Sequence, residues 1–179
     1  MEAQTHYDRA LTLYDPTEHR VLATRFGQDA SVTILTFRAC NQWCLGYPDA
    51  ALRDIDNAVK NAREIGQAAS LMFALYYAAR LHILCGNYSA ATTLTRELIA
   101  LADEKGAAYW MAYGMLSEGW ILAWTGKPSN AVQLITSGLS KYRSTGATLF
   151  CPLSVSHLAK AYADLSPFAD AWRCYDEAP

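Results

Sequence analysis

Residues 84–94 read LCGNYSAATTL, and this stretch decides the fold because it recurs. Forty residues upstream, 44–54 read CLGYPDAALRD; forty downstream, 124–134 read WTGKPSNAVQL; a weaker copy, DLSPFADAWRC, follows at 164–174. At a step of 40 the chain aligns on itself without insertion or deletion. Gly46, Gly86 and Gly126 share one column, with Ser166 in the fourth place, and Gly66, Gly106 and Gly146 share a second. Ala51, Ala91, Ala131 and Ala171 form a third. Ala39, Ala79, Gly119 and Ala159 form a column that is always tiny; Leu35, Leu75, Met115 and Val155 form one that is always aliphatic or Met. No catalytic residue type travels with the pattern.

The segments between glycines carry helical periodicity. In 87–105, Ala90, Ala91, Leu94, Leu98, Leu101 and Ala102 follow a step of three or four. Pro48 and Pro128 sit just after a column glycine, at a first-turn position where a missing N–H costs little. A glycine in the left-handed conformation ends one helix and the next begins. Each unit is therefore expected to be two antiparallel helices. The tiny columns have a steric reason: where helices cross closely, a large side chain would push the axes apart.

Leu75, Ala79, Gly86, Tyr88 and Ala91 resemble the tetratricopeptide repeat: large apolar, small four on, glycine at the turn, aromatic, then alanine. The fourth copy reads Val155, Ala159, Ser166, Phe168, Ala171, while Pro48 and Pro128 replace the aromatic elsewhere. The usual period is about 34 residues, so this chain is a long form of that repeat; a HEAT-type solenoid, with periods of about 40, is the competing assignment. The resemblance implies an all-α, right-handed superhelical solenoid of about four antiparallel helix pairs. The repeats are placed at 28–66, 67–106, 107–146 and 147–179, after an atypical partial repeat at 1–27. Within them, helix pairs are predicted at about 29–45 with 48–65, 67–85 with 88–105, 107–125 with 128–145, and 147–165 with 167–177, preceded by helices at 3–14 and 17–27. All are taken as one domain. The chain opens in half a repeat and stops at CYDEAP (174–179) without a clear polar cap, which predicts that it is part of a longer protein.

Composition narrows the function. Of 179 residues, 52% are apolar and 18% charged, which excludes a disordered chain. A net charge of −2 without a basic stripe argues against nucleic acid. No apolar run is long enough to span a membrane, and the N-terminus lacks signal-peptide anatomy. Five irregularly spaced cysteines fit a reducing, cytoplasmic compartment.

HYDRALTLYDPTEHR (6–20), FGQDASV (26–32), GYPDAALRD (46–54), LADEKGAAYW (101–110) and YRSTGATLF (142–150) are similar to the C-terminal repeat region of a bacterial family. Its members join a class III adenylate/guanylate cyclase domain, an ATPase module and tetratricopeptide repeats. The resemblance implies a sensor or interaction arm for an enzyme located elsewhere, and transfers no catalytic residue. No phosphate loop and no cyclase core occur here.

Other chemistry finds little support. Cys40 and Cys44 share a helical face but lack a second ligand pair, so they read as buried structural cysteines. His82, three residues before Cys85, and His157 read as core or rim histidines. Asp54, Asp56 and Glu64, mixed with Arg53, Lys60 and Arg63, read as a solvated face with an Asp56–Lys60 pair. No catalytic, metal or cofactor site is assigned.

The first helix of each pair is expected to line the concave surface. That surface would draw on Phe73, Tyr76, Arg80 and Leu84; then Tyr113, Leu116, Trp120 and Trp124; then Leu153, Ser156, Lys160 and Asp164. An aromatic stripe at this spacing has two readings, as core or as a binding surface with hot-spot composition. The functional expectation is a non-catalytic protein–protein interaction arm of a larger signalling protein, with a protein, a peptide or a second copy as partner. The alternative is a small-molecule effector held near Tyr113, Trp120 and Trp124.

Overall fold

The computed structural model describes residues 2–165 and 168–177, with side chains described through residue 174. The chain divides into two compact units, Met1–Asn87 and Tyr88–Pro179. The first holds α1 (Glu2–Leu13), α2 (Pro16–His19), a 3-10 turn (Arg20–Leu22), α3 (Ala23–Phe26), α4 (Ala30–Cys44), α5 (Pro48–Ile65) and α6 (Ala68–Leu84). The second holds α7 (Tyr88–Glu104), α8 (Ala108–Trp124), α9 (Pro128–Ser144), α10 (Cys151–Asp164) and α11 (Phe168–Glu177). No strand occurs among the described residues.

The first glycine column ends its helices by a repeated hydrogen-bond pattern. Gly46 has φ +84°, which only a residue without a Cβ adopts cheaply. Its N–H donates to Trp43 O at 3.0 Å, and the Tyr47 N–H reaches back to Gln42 O at 2.9 Å. Forty residues on, Gly86 donates to Ile83 O and Asn87 to His82 O, and Lys127 likewise donates to Leu122 O. These bonds satisfy carbonyls that the helix end would otherwise orphan. Pro48 and Pro128 then open α5 and α9 at a position that needs no donor.

The alanine columns are buried. Ala39, Ala51, Ala79, Ala91 and Ala131 are fully enclosed, while Ala159 and Ala171 of the fourth repeat are half-buried. Ser166, the fourth member of the glycine column, lies outside the described residues. In the second unit the α8–α9 crossing goes further than alanine. A Cβ on Gly119 would stand 2.6 Å from Ile135 Cγ1, and one on Gly138 would stand 3.0 Å from Leu116 Cδ2. The two helices meet there almost backbone to backbone, which dispersion contacts along their length reward.

In the first unit, Asp29 is the fully buried N-cap of α4. Its Oδ1 accepts from the Ser31 N–H and hydroxyl at 2.9 and 2.6 Å, and its Oδ2 accepts from the Tyr14 hydroxyl at 2.8 Å. Its own N–H donates to Ser70 Oγ at 2.8 Å, so one capping carboxylate ties the α1–α2 turn, α4 and α6 together. Burial and this carboxylate raise the Tyr14 pKa above that of an ordinary phenol.

Four local expectations need correction. The helix predicted from 147 begins at Cys151, because Pro152 is confined to a helix's first turn and residues 147–150 turn instead. Asp54, expected on a solvated face, is only 7% exposed: Arg38 of α4 grips it through Nε–Oδ2 at 2.6 Å and Nη2–Oδ1 at 2.8 Å. Neighbouring Asp56 lies 3.4 Å from His82 Nε2 instead of pairing with Lys60. Cys44, expected to be buried, is exposed in the last turn of α4, whereas Cys40, one turn earlier, is half-buried.

Candidate functional site

In the second unit the two first helices, α8 and α10, pack side by side. Across that seam stand Trp120 and Trp124 from α8, and His157 and Lys160 from α10. Trp120 is 1% exposed and stacks on the His157 ring, with centroids 5.1 Å apart. Trp124, one turn later at the end of α8, is 49% exposed. Its indole N–H donates to His157 Nδ1 at 3.2 Å. Lys160 Nζ sits 4.8 Å from the Trp124 ring centroid and also bonds Asp164 Oδ2 at 2.7 Å. The result is a tryptophan on display, with its ring orientation fixed from two sides.

The electrostatics agree with that geometry. Loss of water around the His157 ring, and secondarily the Lys160 charge, push its pKa down to about 4. The imidazole is therefore neutral at pH 7, so its Nδ1 can accept the indole proton.

The other end of α8 does different work. Tyr113 is 1% exposed, and its hydroxyl lies 3.1 Å from that of Tyr142 on α9. Tyr109 donates to Tyr113 at 3.3 Å, and Phe150 packs edge-on at 5.6 Å. This aromatic knot fixes the α9–α10 turn. In the first unit the face of α4 and α6 carries Phe37, Phe73 and Tyr77, with ring centroids 4.8–5.8 Å apart. The Arg80 guanidinium lies 5.8 Å from the Tyr77 ring centroid, the same cation-on-aromatic arrangement that Lys160 and Trp124 make.

The expected concave stripe thus splits. Phe73, Tyr76, Tyr113, Leu116 and Trp120 are buried, as the core reading of the stripe has them. Buried residues fall around most of the circumference of α6 and α8, which a single-helix periodicity does not register. Leu84 and Trp124 are exposed at helix ends, and Arg80 and Lys160 are half-buried beside them. His157, Tyr77 and Phe37 lie outside the expected stripe. The signal that could have found His157 is its spacing of three from Lys160 on the stripe facing Trp124.

Among the described residues no group of three or more His, Cys, Asp or Glu could hold a metal ion, and no helix is long and apolar enough to cross a membrane.

No family model matches the sequence, and no curated protein matches it. Solved structures do match. The apo form of RapI superposes with a TM-score of 0.69 at 12% identity, over 98% of this chain and 46% of that one. This chain therefore spans about half the length of RapI. A variant of the nearly identical TPR-like repeats of a Podosopora anserina protein, assigned as a kinesin light chain, superposes with a TM-score of 0.61 at 13% identity, over 99% of this chain and 91% of that one. At these identities the likeness fixes the fold alone: the chain is an all-α helical-repeat solenoid of the TPR-like kind.

Proposed function

We propose that the chain is a protein-interaction module that holds a peptide segment of a partner along the α8–α10 face, with Trp124 as the anchor. One observation carries this: Trp124 is half exposed, yet its ring is already oriented by His157 and Lys160. A free aromatic side chain would lose rotamer entropy on binding; this one has already lost it in the fold. Tryptophan is also among the residues enriched in binding hot spots. Tyr113 and Trp120 are enclosed, so this face offers an edge for a chain instead of a hollow for a small effector near those rings.

The resemblance to the repeat region of cyclase–ATPase regulators supports a finer reading, in which the module is the regulatory arm of a larger bacterial signalling protein. Five free cysteines fit the reducing cytoplasm. A second copy of the chain is the simplest partner for the same face, and molar mass in solution against concentration reads that case directly.

Peptide display on the wild-type chain, counter-screened on Trp124→Ala, tests the proposal. Selected peptides should lose about tenfold or more in affinity on the variant, equivalent to ~1.4 kcal/mol, while both proteins melt at similar temperatures. Peptides indifferent to Trp124 would place the binding surface elsewhere.

A further inference from the structure

A cleft of about 350 Å³ lies between α7 and α8, on residues separate from the Trp124 cluster. That volume is within the range of small-molecule sites. Its walls carry charges of both signs: Arg96 from α7, Glu118 from α8, and Lys127 just beyond the end of α8. Arg96 and Lys127 are exposed and Glu118 is half-buried; among the described residues none of the three has an ion-pair partner. Thr95 also lines the cleft. It is 1% exposed, and its hydroxyl has no hydrogen-bond partner among the described residues. Buried hydroxyls are seldom left so, because the desolvation cost goes unrepaid. Thr92 and Thr125 donate their hydroxyl protons to Tyr88 O and Ile121 O, each at 2.7 Å, which leaves their oxygens as acceptors.

We propose that this cleft binds a small zwitterion, an amino acid or dipeptide, independently of the partner face. Its carboxylate pairs with Arg96 and Lys127; its ammonium pairs with Glu118 and the threonine oxygens. Ile121 and Leu122 take its apolar part. The charge pattern selects the class. A bare anion meets Glu118, and a bare cation meets Arg96 and Lys127; a ligand carrying both charges sets each against its complement.

The test is an amide chemical-shift titration of the full chain with leucine and glycyl-leucine, against isovalerate and isoamylamine, which carry one charge each. Leucine or the dipeptide should shift the amides of Thr95 and Ile121 saturably at millimolar concentration or below. Arg96→Ala and Glu118→Gln, both on accessible side chains, should each weaken binding about tenfold. Thr95→Val should raise the melting temperature without ligand and also weaken binding; a purely structural hydroxyl would do only the first. Silence of the cleft amides toward both zwitterions overturns the proposal. So does binding that isovalerate or isoamylamine matches, or that ignores both charge variants.

Discussion

The Trp124 indole N–H donates to His157 Nδ1 at 3.2 Å, joining the end of α8 to the middle of α10 through a bond that requires a neutral imidazole. Stability should therefore fall on acidification in a defined window. The His157 pKa is lowered from 6.5 to about 4 in the fold. About one unit or more above the unfolded value of 6.5 the ring is neutral in both folded and unfolded chains and contributes no pH dependence. Below it the unfolded chain takes up a proton that the folded chain refuses, so stability drops until the folded ring protonates near pH 4. The Lys160 charge beside the ring opposes protonation. The measurement is the difference in unfolding free energy between wild type and His157→Phe against pH. It should bend near pH 6.5, be level about one unit above that, and change steadily down to about pH 4. Parallel curves would sink the assignment.

The two tryptophans of the seam should separate on truncation. Trp120→Ala, at a site 1% exposed, should cost about 3–5 kcal/mol of stability. Trp124→Ala removes one hydrogen bond and a half-exposed ring, and should cost about 1 kcal/mol. Urea unfolding of both variants checks this. Equal losses would mean that Trp124 is as much core as Trp120.

Gly119→Ala should destabilise more than Gly114→Ala. The new Cβ at 119 meets Ile135 Cγ1 at 2.6 Å and the Ile135 backbone nitrogen at 3.2 Å, so α8 and α9 must part. At 114 the nearest atoms all belong to the Ile99 side chain, which can rotate away. Overpacking costs about 1–3 kcal/mol, while alanine in a helix returns about 1 kcal/mol relative to glycine. Net loss is expected at 119 and near balance at 114, read from thermal melts. The reverse order would show that the helix crossing is misplaced.

Arg38→Ala should cost about 3 kcal/mol, because it leaves the Asp54 carboxylate buried without its partner. Asp54→Asn should cost less, since Arg38 keeps Asp8 at 2.8 Å and can still donate to the amide oxygen. Denaturant midpoints of the two variants compare them. A larger loss in Asp54→Asn would contradict the account of this bridge.

The helix ends and the tight crossings were legible in the sequence because their causes are local. A left-handed turn needs Gly46, Gly86 and Gly126, and a close crossing needs Ala51, Ala91 and Ala131; a fixed step repeats both demands. Exposure was not legible in the same way. Tyr113, Leu116, Trp120 and Trp124 form one stripe at helical spacing, but α8 is enclosed on several faces, with Ala112, Gly114, Ile121 and Ala123 buried as well. Periodicity marks a surface only on a helix that has an exposed side. What lies beside each turn decides the outcome: Tyr142 and Phe150 cover Tyr113, His157 covers Trp120, and Trp124 reaches past them. Asp54 escaped for a related reason. Its partner Arg38 lies 16 residues away, and charge spacing within α5 alone does not reveal it.

The most direct measurement on the proposed partner face is an amide chemical-shift map of the chain bound to a display-selected peptide. The perturbations should concentrate on Trp120 and Trp124 of α8 and on 157–164 of α10, with the Trp124 indole N–H among the largest. Perturbations elsewhere, with that indole unmoved, would contradict the assignment of this face as the binding surface.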